Sequence, residues 1–180
     1  ASPLQLRETI YQCAPYIGFP KTLNAIDIAN GVFEANGISL PLENAGTVDA
    51  TDPSAREQAG AAIQAPLYGN EVKEVFSALP KPLDEFVPHL LTSSAFGDFA
   101  TRGGLDVAQR ELISLVAIAA IGATTQLRPH VAGAIRAGSS RQKVAAALVQ
   151  VMPYIGGPYA LSGLVLVARY DENASWEAYR

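Results

Sequence analysis

The sequence is poor in charge for its length. Charged residues make up 17% of its 180 residues and hydrophobic residues 49%, whereas soluble proteins average about 25% charged residues. This balance excludes disorder as a description of the whole chain. The formal net charge of −4 and the pI near 5.1 argue against a nucleic-acid partner, which needs a basic stripe, and against a polybasic membrane patch.

Cysteine and long apolar runs are also scarce. Cys13 is the only cysteine, so the chain has no intrachain disulfide, and no Cys-x-x-Cys or Cys/His grouping predicts a metal site. The longest apolar run, 112–123, is interrupted by Ser114 and Gly122 and falls short of the roughly twenty residues of a spanning helix. The first ten residues carry charge and predict no signal peptide. We expect a cytoplasmic protein, with a periplasmic location still open.

Apolar residues recur with helical spacing along the chain, and no stretch alternates with period two for long enough to predict a strand. Ser54-x-x-Glu57, Asp106-x-x-Gln109 and Ser139-x-x-Gln142 have the spacing of helix caps. The fold is therefore predicted to be all-α, an antiparallel helical bundle. The predicted helices span 4–17, 20–36, 54–67, 70–79, 82–95, 106–121, 126–137, 139–154 and 158–173.

One segment of the chain matches another. Gln12–Pro20 returns as Gln150–Pro158 with identical residues at six of nine positions, which indicates two copies of one supersecondary unit. Only the second copy is preceded by a long helical pattern, so we expect the chain to begin partway through its first repeat. The predicted organisation is the back half of a first repeat in 1–36, a linker and helix in 37–69, and a complete second repeat in 70–180.

Glu111 is the first candidate for chemistry. It shares a helix stripe with Leu115 and Ile118, so its carboxylate loses hydration unless another group pairs with it. The alternative is that Glu111 belongs to the first turn of its helix, where the helix dipole favours an acid.

His130 is the second candidate. Its helix stripe holds Gly133, Ala134 and Ala137, and these small residues admit either a close neighbouring helix or a ligand over the imidazole. The alternative is a structural histidine held by hydrogen bonds. Glu111 and His130 fall on two helices of one predicted hairpin. Crossing helices, the reach of Glu111 or one bridging water would bring them together.

Arg110, Arg128 and Tyr154 are candidates for binding a substrate. Arginine recognises a carboxylate through two parallel hydrogen bonds, so Arg110 and Arg128 suit an anionic small molecule. The alternative for each arginine is a solvated charge near a helix end. Tyr154, like its repeat counterpart Tyr16, would line a cleft or else serve helix packing.

These segments together resemble the carboxymuconolactone decarboxylase family, which is related to the alkylhydroperoxidase D-like proteins. The resemblance rests on Arg110–Leu115, Gln126–His130, Ala134–Ser139 and Pro153–Pro158. It covers about 83–173, with 4–36 similar to the back half of a second copy. It implies an all-helical bundle that assembles into homo-trimers or homo-hexamers.

The resemblance also implies a choice between two activities. In the peroxidase branch a Glu, a Cys-x-x-Cys pair and a His relay protons to reactive thiols, but Ala123 and Gln126 stand at the cysteine positions here. The decarboxylase branch lacks those cysteines as well and needs no cofactor. It implies a lyase acting on a small anionic lactone or related acid, with His130 as general acid, Glu111 orienting it, and Arg110 or Arg128 on a substrate carboxylate. A thiol peroxidase and a non-catalytic ligand-binding oligomer are the alternatives.

Overall fold

The structure, a computed structural model, describes residues 1–171 except for the side chain of Glu71. These residues form helices and connecting loops with no strand, so the predicted all-α class is confirmed. None of the described helices has both the length and the apolar character that crossing a membrane requires. In chain order the elements are α1 (Pro3–Ile17), α2 (Phe19–Ala35), α3 (Pro53–Tyr68), α4 (Glu71–Phe76), α5 (Leu83–Leu91), a π-helix (Thr92–Ala100), α6 (Val107–Ala120), α7 (Thr124–Arg136), α8 (Arg141–Ile155) and α9 (Gly157–Ala168).

The largest core lies among α6, α7, α8 and α9. Leu115, Leu127 and Leu148 from the first three of these helices are at most 1% exposed, and Val167 of α9 packs against them. Gly163 lets α9 approach α8 closely, because a Cβ atom there would lie 2.8 Å from Leu148 Cδ1. This four-helix unit is the scaffold that fixes the positions of α6 and α7.

A second, smaller core joins α3 to the π-helix. Leu67 and Tyr68 of α3 pack there with Phe96 and Ala100. Two glycines permit the contact, since a Cβ atom at Gly60 would lie 2.8 Å from the backbone nitrogen of Gly97. The chain was predicted to leave the helix at residue 95, but it continues to Ala100 with π geometry. π-helical turns frequently accompany functional sites.

The two copies of the repeated segment have the same local geometry. Gly18 ends α1 at φ 82° and ψ 157°, and Gly156 ends α8 at φ 90° and ψ 147°. Both glycines need this positive φ, which residues with a side chain rarely adopt. In each case a proline lies in the first turn of the next helix. The division into repeats at 36 and 69 stays a prediction, and 172–180 of the predicted second unit lie outside the described residues.

The helix caps are only partly as predicted. Asp106 and Gln109 form the reciprocal cap expected at α6. At α3, however, the cap is Asp52, whose Oδ1 accepts from two backbone N–H groups, and not Ser54, because Pro53 already occupies the first helical position. At α8 the cap is Ser140, whose hydroxyl accepts from the backbone of Lys143, and not the preceding serine. The last predicted helix, 158–173, ends at Ala168, and residues 172–173 lie outside the described residues.

Candidate functional site

Three side chains meet where α3, α6 and α7 come together, and we call them the Tyr68 cluster: Tyr68, Glu111 and His130. Tyr68 Oη lies 2.5 Å from Glu111 Oε2 and 2.9 Å from His130 Nδ1. Glu111 Oε2 is itself 3.4 Å from His130 Nδ1. The structure thus brings together the two candidate catalytic residues, and a tyrosine hydroxyl bridges them.

Hydrogen-bond chemistry predicts where the protons of the Tyr68 cluster lie. An ionised carboxylate only accepts, so the Tyr68 hydroxyl donates its one proton to Glu111. The tyrosine oxygen then accepts from Nδ1–H of His130. In this arrangement the neutral imidazole keeps a lone pair on Nε2, and the protonated imidazole has a donor there.

Burial singles out His130 as the member of the cluster that reaches the surface. Tyr68 is 5% exposed, and the side chain of Glu111 is 4% exposed, whereas the His130 side chain is 14% exposed. No hydrogen bond to another described residue occupies Nε2. The imidazole is therefore the group through which the cluster can exchange a proton with a bound molecule.

The bridging tyrosine stays protonated at neutral pH. Burial, together with the negative charge of Glu111, raises the pKa of the Tyr68 hydroxyl well above its ordinary value. A hydrogen bond from Arg136 Nη1 to the carbonyl of Leu67, 2.6 Å long, ties the end of α3 to α7. These interactions keep the phenol in place as a neutral donor and acceptor.

Gly133 makes room for the bridge. A Cβ atom at this position of α7 would lie 2.8 Å from Tyr68 Cζ and 2.9 Å from Glu111 Oε2. The small residues beside His130 were predicted to admit either a helix or a ligand. At Gly133 the structure shows the first outcome, because the Tyr68 ring from α3 fills the space.

Tyr16 of α1 forms a further wall of the site. Its ring stands edge-on to the His130 ring, with 5.6 Å between centroids and an interplanar angle of 87°. Burial raises the pKa of the Tyr16 hydroxyl. On the same helix, Gln12 donates a hydrogen bond to the hydroxyl of Ser114 on α6. The imidazole is thus held by one tyrosine through a hydrogen bond and by another through its ring.

Tyr154 has a different environment from its counterpart in the repeat. It is 83% exposed on α8, and within the described residues no hydrogen bond or ring contact joins it to the Tyr68 cluster. Tyr16 is half-buried because α1 packs along α6, whereas no described helix covers Tyr154. We therefore assign no role in the Tyr68 cluster to Tyr154 of the same chain.

Arg110 is also not placed as expected. It is 1% exposed, and its guanidinium donates to Gln12 Oε1 and to the carbonyls of Arg102 and Gly103. Its Nη2 also lies 3.5 Å from Glu8 Oε2. Because these groups surround the guanidinium, Arg110 holds α6 to α1, and we assign it no substrate contact.

Glu8 is the centre of this ionic network. It is fully buried and pairs with Arg7 at 3.1 Å, Arg102 at 2.8 Å and Arg110 at 3.5 Å. Burial works against its charged form, but the hydrogen bonds and charges of Arg102, and then of Arg7 and Arg110, outweigh burial and lower the pKa of Glu8. The network positions α1, and with it Tyr16, against α6.

The remaining candidates are spread over the surface and over α1. Arg128 is half-buried on α7, two positions before His130. His89 was expected to be structural, and its Nδ1 lies 3.1 Å from Glu57 Oε1 at an exposed site. Burial raises the pKa of the Cys13 thiol, which lowers its thiolate content and hence its reactivity. Within the described residues no three His, Cys, Asp or Glu side chains group as metal ligands.

Tyr68 was missed in the sequence. It was predicted to lie just beyond a helix ending at residue 67, whereas in the structure Tyr68 is the last residue of α3 and Gly69 caps the helix. The one available signal was the stripe of small residues near His130. This stripe indicated space for a large group beside the imidazole, but it did not identify that group as Tyr68. Glu8 was missed for a similar reason, since its three arginine partners include two about a hundred positions away.

Comparison with known proteins agrees with this all-helical arrangement. Residues 87–169, which include Glu111 and His130, match the family model described as "Carboxymuconolactone decarboxylase family". The resemblance drawn from the sequence motifs is confirmed over this segment. No curated protein matches the chain.

Proposed function

We propose that this chain, whose residues 87–169 belong to the carboxymuconolactone decarboxylase family, is a cofactor-independent lyase that decarboxylates a small anionic lactone or a related acid. The observation that carries the proposal is the Tyr68 bridge, which links a buried carboxylate to a histidine whose Nε2 has no hydrogen-bond partner among residues 1–171. This arrangement suits general acid–base catalysis. The partner at Nδ1 fixes the orientation of the imidazole, and Nε2 can then exchange a proton with a bound molecule.

The proposed reaction exchanges a carboxylate for a proton. The bond between the substrate carbon and its carboxylate breaks, CO₂ leaves, and the electron pair moves into the conjugated lactone as a dienolate. Protonated His130 then donates its Nε2 proton to carbon, and water restores that proton. Glu111 and Tyr68 are positioning residues in this scheme, since they hold the imidazole without touching substrate.

Arg128 is the partner that we propose for a substrate carboxylate. Arg110, the other arginine suggested by sequence, has its guanidinium taken up by Glu8, Gln12 and backbone carbonyls. Arg128 lies on the same helix as His130. The proposal also includes a homo-trimer or homo-hexamer in the cytoplasm. Exposed apolar side chains on α2 and α9, among them Ile28 at 70% and Leu161 at 54%, support assembly between copies of the chain.

The proposal is tested on a panel of unsaturated lactones that carry a carboxylate. Release of CO₂ and loss of lactone absorbance are measured for the natural protein and for His130→Gln. General acid–base catalysis contributes about 10²- to 10⁴-fold, so kcat should fall by at least about 100-fold. His89→Gln is the matched control, because His89 also contacts a glutamate but at an exposed site, and it should retain full activity.

Two outcomes would overturn the proposal. If no lactone of the panel is turned over, the chain is not the lyase described here, and a non-catalytic binding role becomes the better reading. If peroxide is consumed with a dithiol donor and alkylation of Cys13 stops the reaction, the thiol peroxidase reading replaces it. The raised pKa of the Cys13 thiol argues against that second outcome.

A further inference from the structure

A cleft of about 730 Å³ opens between α1, α2, the connection 37–52 and the π-helix. None of the residues that line it belongs to the Tyr68 cluster. Tyr11 and Ala14 of α1 line the cleft, whereas Gln12 and Tyr16 of the same helix contact Ser114 and His130. The cleft is therefore a separate cavity, and its size falls within the range of small-molecule sites.

The walls of the cleft are mainly apolar. Phe19, Leu23 and Ile26 contribute one side from α2, and Val48 and Phe99 contribute the other. Phe19 and Leu23 are 67% and 63% exposed, so these side chains remain open to an apolar molecule. A ligand with an aromatic or aliphatic body would remove this surface from water.

Arg102 gives the cleft a cationic end. Its Nε and Nη2 form a side-on pair with Glu8, and Nη1 has no hydrogen bond to another described residue. Nη1 lies at the cleft wall, because a Cβ atom at Gly46, another lining residue, would be 3.8 Å from it. The Tyr11 ring, with its centroid 5.0 Å from the guanidinium carbon, steadies this side chain.

The charges around Glu8, the partner of Arg102, do not balance. Arg7, Arg102 and Arg110 share the single carboxylate of Glu8. The acid that lines the cleft, Asp98, has both oxygens engaged by Arg56 at 2.6 and 2.5 Å. Three guanidinium groups around one carboxylate leave an excess of positive charge, and Arg102 presents part of it to the cleft. An anion placed there would be favourable.

We propose that this cleft is a second ligand site, which binds a small carboxylic acid with an apolar body. The carboxylate accepts a hydrogen bond from Arg102 Nη1, and the aromatic or aliphatic part lies against Phe19, Leu23 and Val48. This site goes beyond the proposed lyase activity, because it shares no lining residue with the Tyr68 cluster and needs no chemistry there.

The test uses 4-phenylbutyrate and its neutral analogue 4-phenylbutanol with the full chain in calorimetric titrations at pH 7. We expect saturable binding of the acid, at least ten-fold weaker binding of the alcohol, and a weakening of acid binding by 0.5 M salt. Val48→Trp fills the cleft and should abolish binding. Val75→Trp places the same residue at an exposed position outside the cleft and should change nothing.

Arg102→Lys tests the cationic end while it keeps a positive charge beside Glu8. Circular dichroism verifies that the variant folds, and the acid should then bind about ten-fold more weakly, because lysine lacks the second arm of the guanidinium fork. Equal affinity for acid and alcohol, full binding by Val48→Trp, or no saturable binding by the natural chain would each overturn the proposal. These measurements involve no turnover, so they stand or fall independently of the lyase activity.

Discussion

The hydroxyl end of Tyr68 occupies the space that a side chain at Gly133 would fill. The ideal Cβ position at Gly133 is 2.8 Å from Tyr68 Cζ, well inside van der Waals contact. The absence of a side chain at Gly133 on α7 thus makes room for the Tyr68 ring from α3. This close packing positions the Tyr68 hydroxyl between Glu111 and His130.

Gly133→Ala should therefore destabilise the protein although alanine favours a helix. The added methyl group forces Tyr68 away from Glu111, and overpacking of this kind costs about 1–3 kcal/mol. Gly31→Ala is the matched control, since Gly31 lies inside α2 with nothing within 4 Å of its Cβ position. It should gain about 0.5–1 kcal/mol from helix propensity. Urea denaturation measures both, and equal effects of the two substitutions would refute the steric account.

Tyr68→Phe should remove the bridge and leave the ring in place. The Glu111 carboxylate and His130 Nδ1 then lose a buried partner, which costs about 1–3 kcal/mol. The activity proposed above should fall with it, chiefly in kcat and with an altered pH profile, because the imidazole is no longer held. Tyr154→Phe, at a side chain that is 83% exposed, should alter neither stability nor kcat. A Tyr68→Phe protein with unchanged stability and pH profile would show that the hydroxyl does not link the two residues.

Glu8 should make stability depend on pH in the acid range. Its folded-state pKa is lowered, so the unfolded state binds more protons as the pH falls through the ordinary carboxyl range. The stabilisation is complete above the unfolded pKa of about 4.3 and is lost as the pH falls toward the lower folded value.

Glu8→Gln should lower the free energy of unfolding at neutral pH by about 3 kcal/mol, because three arginines lose their shared partner. It should also flatten the acid dependence, and urea titrations at a series of pH values would detect both effects. A Glu8→Gln protein with the natural acid profile would contradict this assignment.

Arg110 and Arg128 should respond differently to substitution. Arg110→Met leaves Glu8 and Gln12 without a buried partner, so we expect a loss of several kcal/mol in stability, in line with breaking a buried ion pair. Arg128→Gln should instead raise KM for the lactone acid by about ten-fold or more, because one charged hydrogen bond to substrate is lost. Thermal unfolding and steady-state kinetics separate the two. If the Arg110→Met protein has normal stability and a raised KM, Arg110 binds the substrate and the structural role assigned to it is wrong.

Local features of this fold were readable in the sequence. The spacing of Asp106 and Gln109 predicts the start of α6, and the repeated glycines Gly18 and Gly156 mark the two helix pairs, because caps and positive-φ turns depend on neighbouring residues only. The π-helix was not predicted because the spacing of its apolar residues is equally compatible with an α-helix. Spacing alone also does not decide which of several nearby polar residues caps a helix. The caps of α3 and α8 are therefore Asp52 and Ser140 and not the residues predicted.

The site itself was predictable only in part. Glu111 and His130 face each other across consecutive helices, so their meeting was foreseeable as a possibility. Tyr68 comes from a helix whose docking depends on Gly133, a contact between distant parts of the chain. Arg110 was predicted to bind substrate because its actual partner, Glu8, lies about a hundred positions away in the sequence, and no local pattern connects the two residues. Long-range packing, which no local pattern encodes, decides such placements.

The most direct test of the account is the tautomer of His130. Nitrogen-15 NMR of the imidazole, assigned by comparison with His130→Gln, reports which ring nitrogen carries the proton in the neutral form. We expect the proton on Nδ1, donated to Tyr68 Oη, with Nε2 unprotonated, and a loss of this preference in Tyr68→Phe. A neutral imidazole protonated on Nε2 in the natural protein would contradict the account.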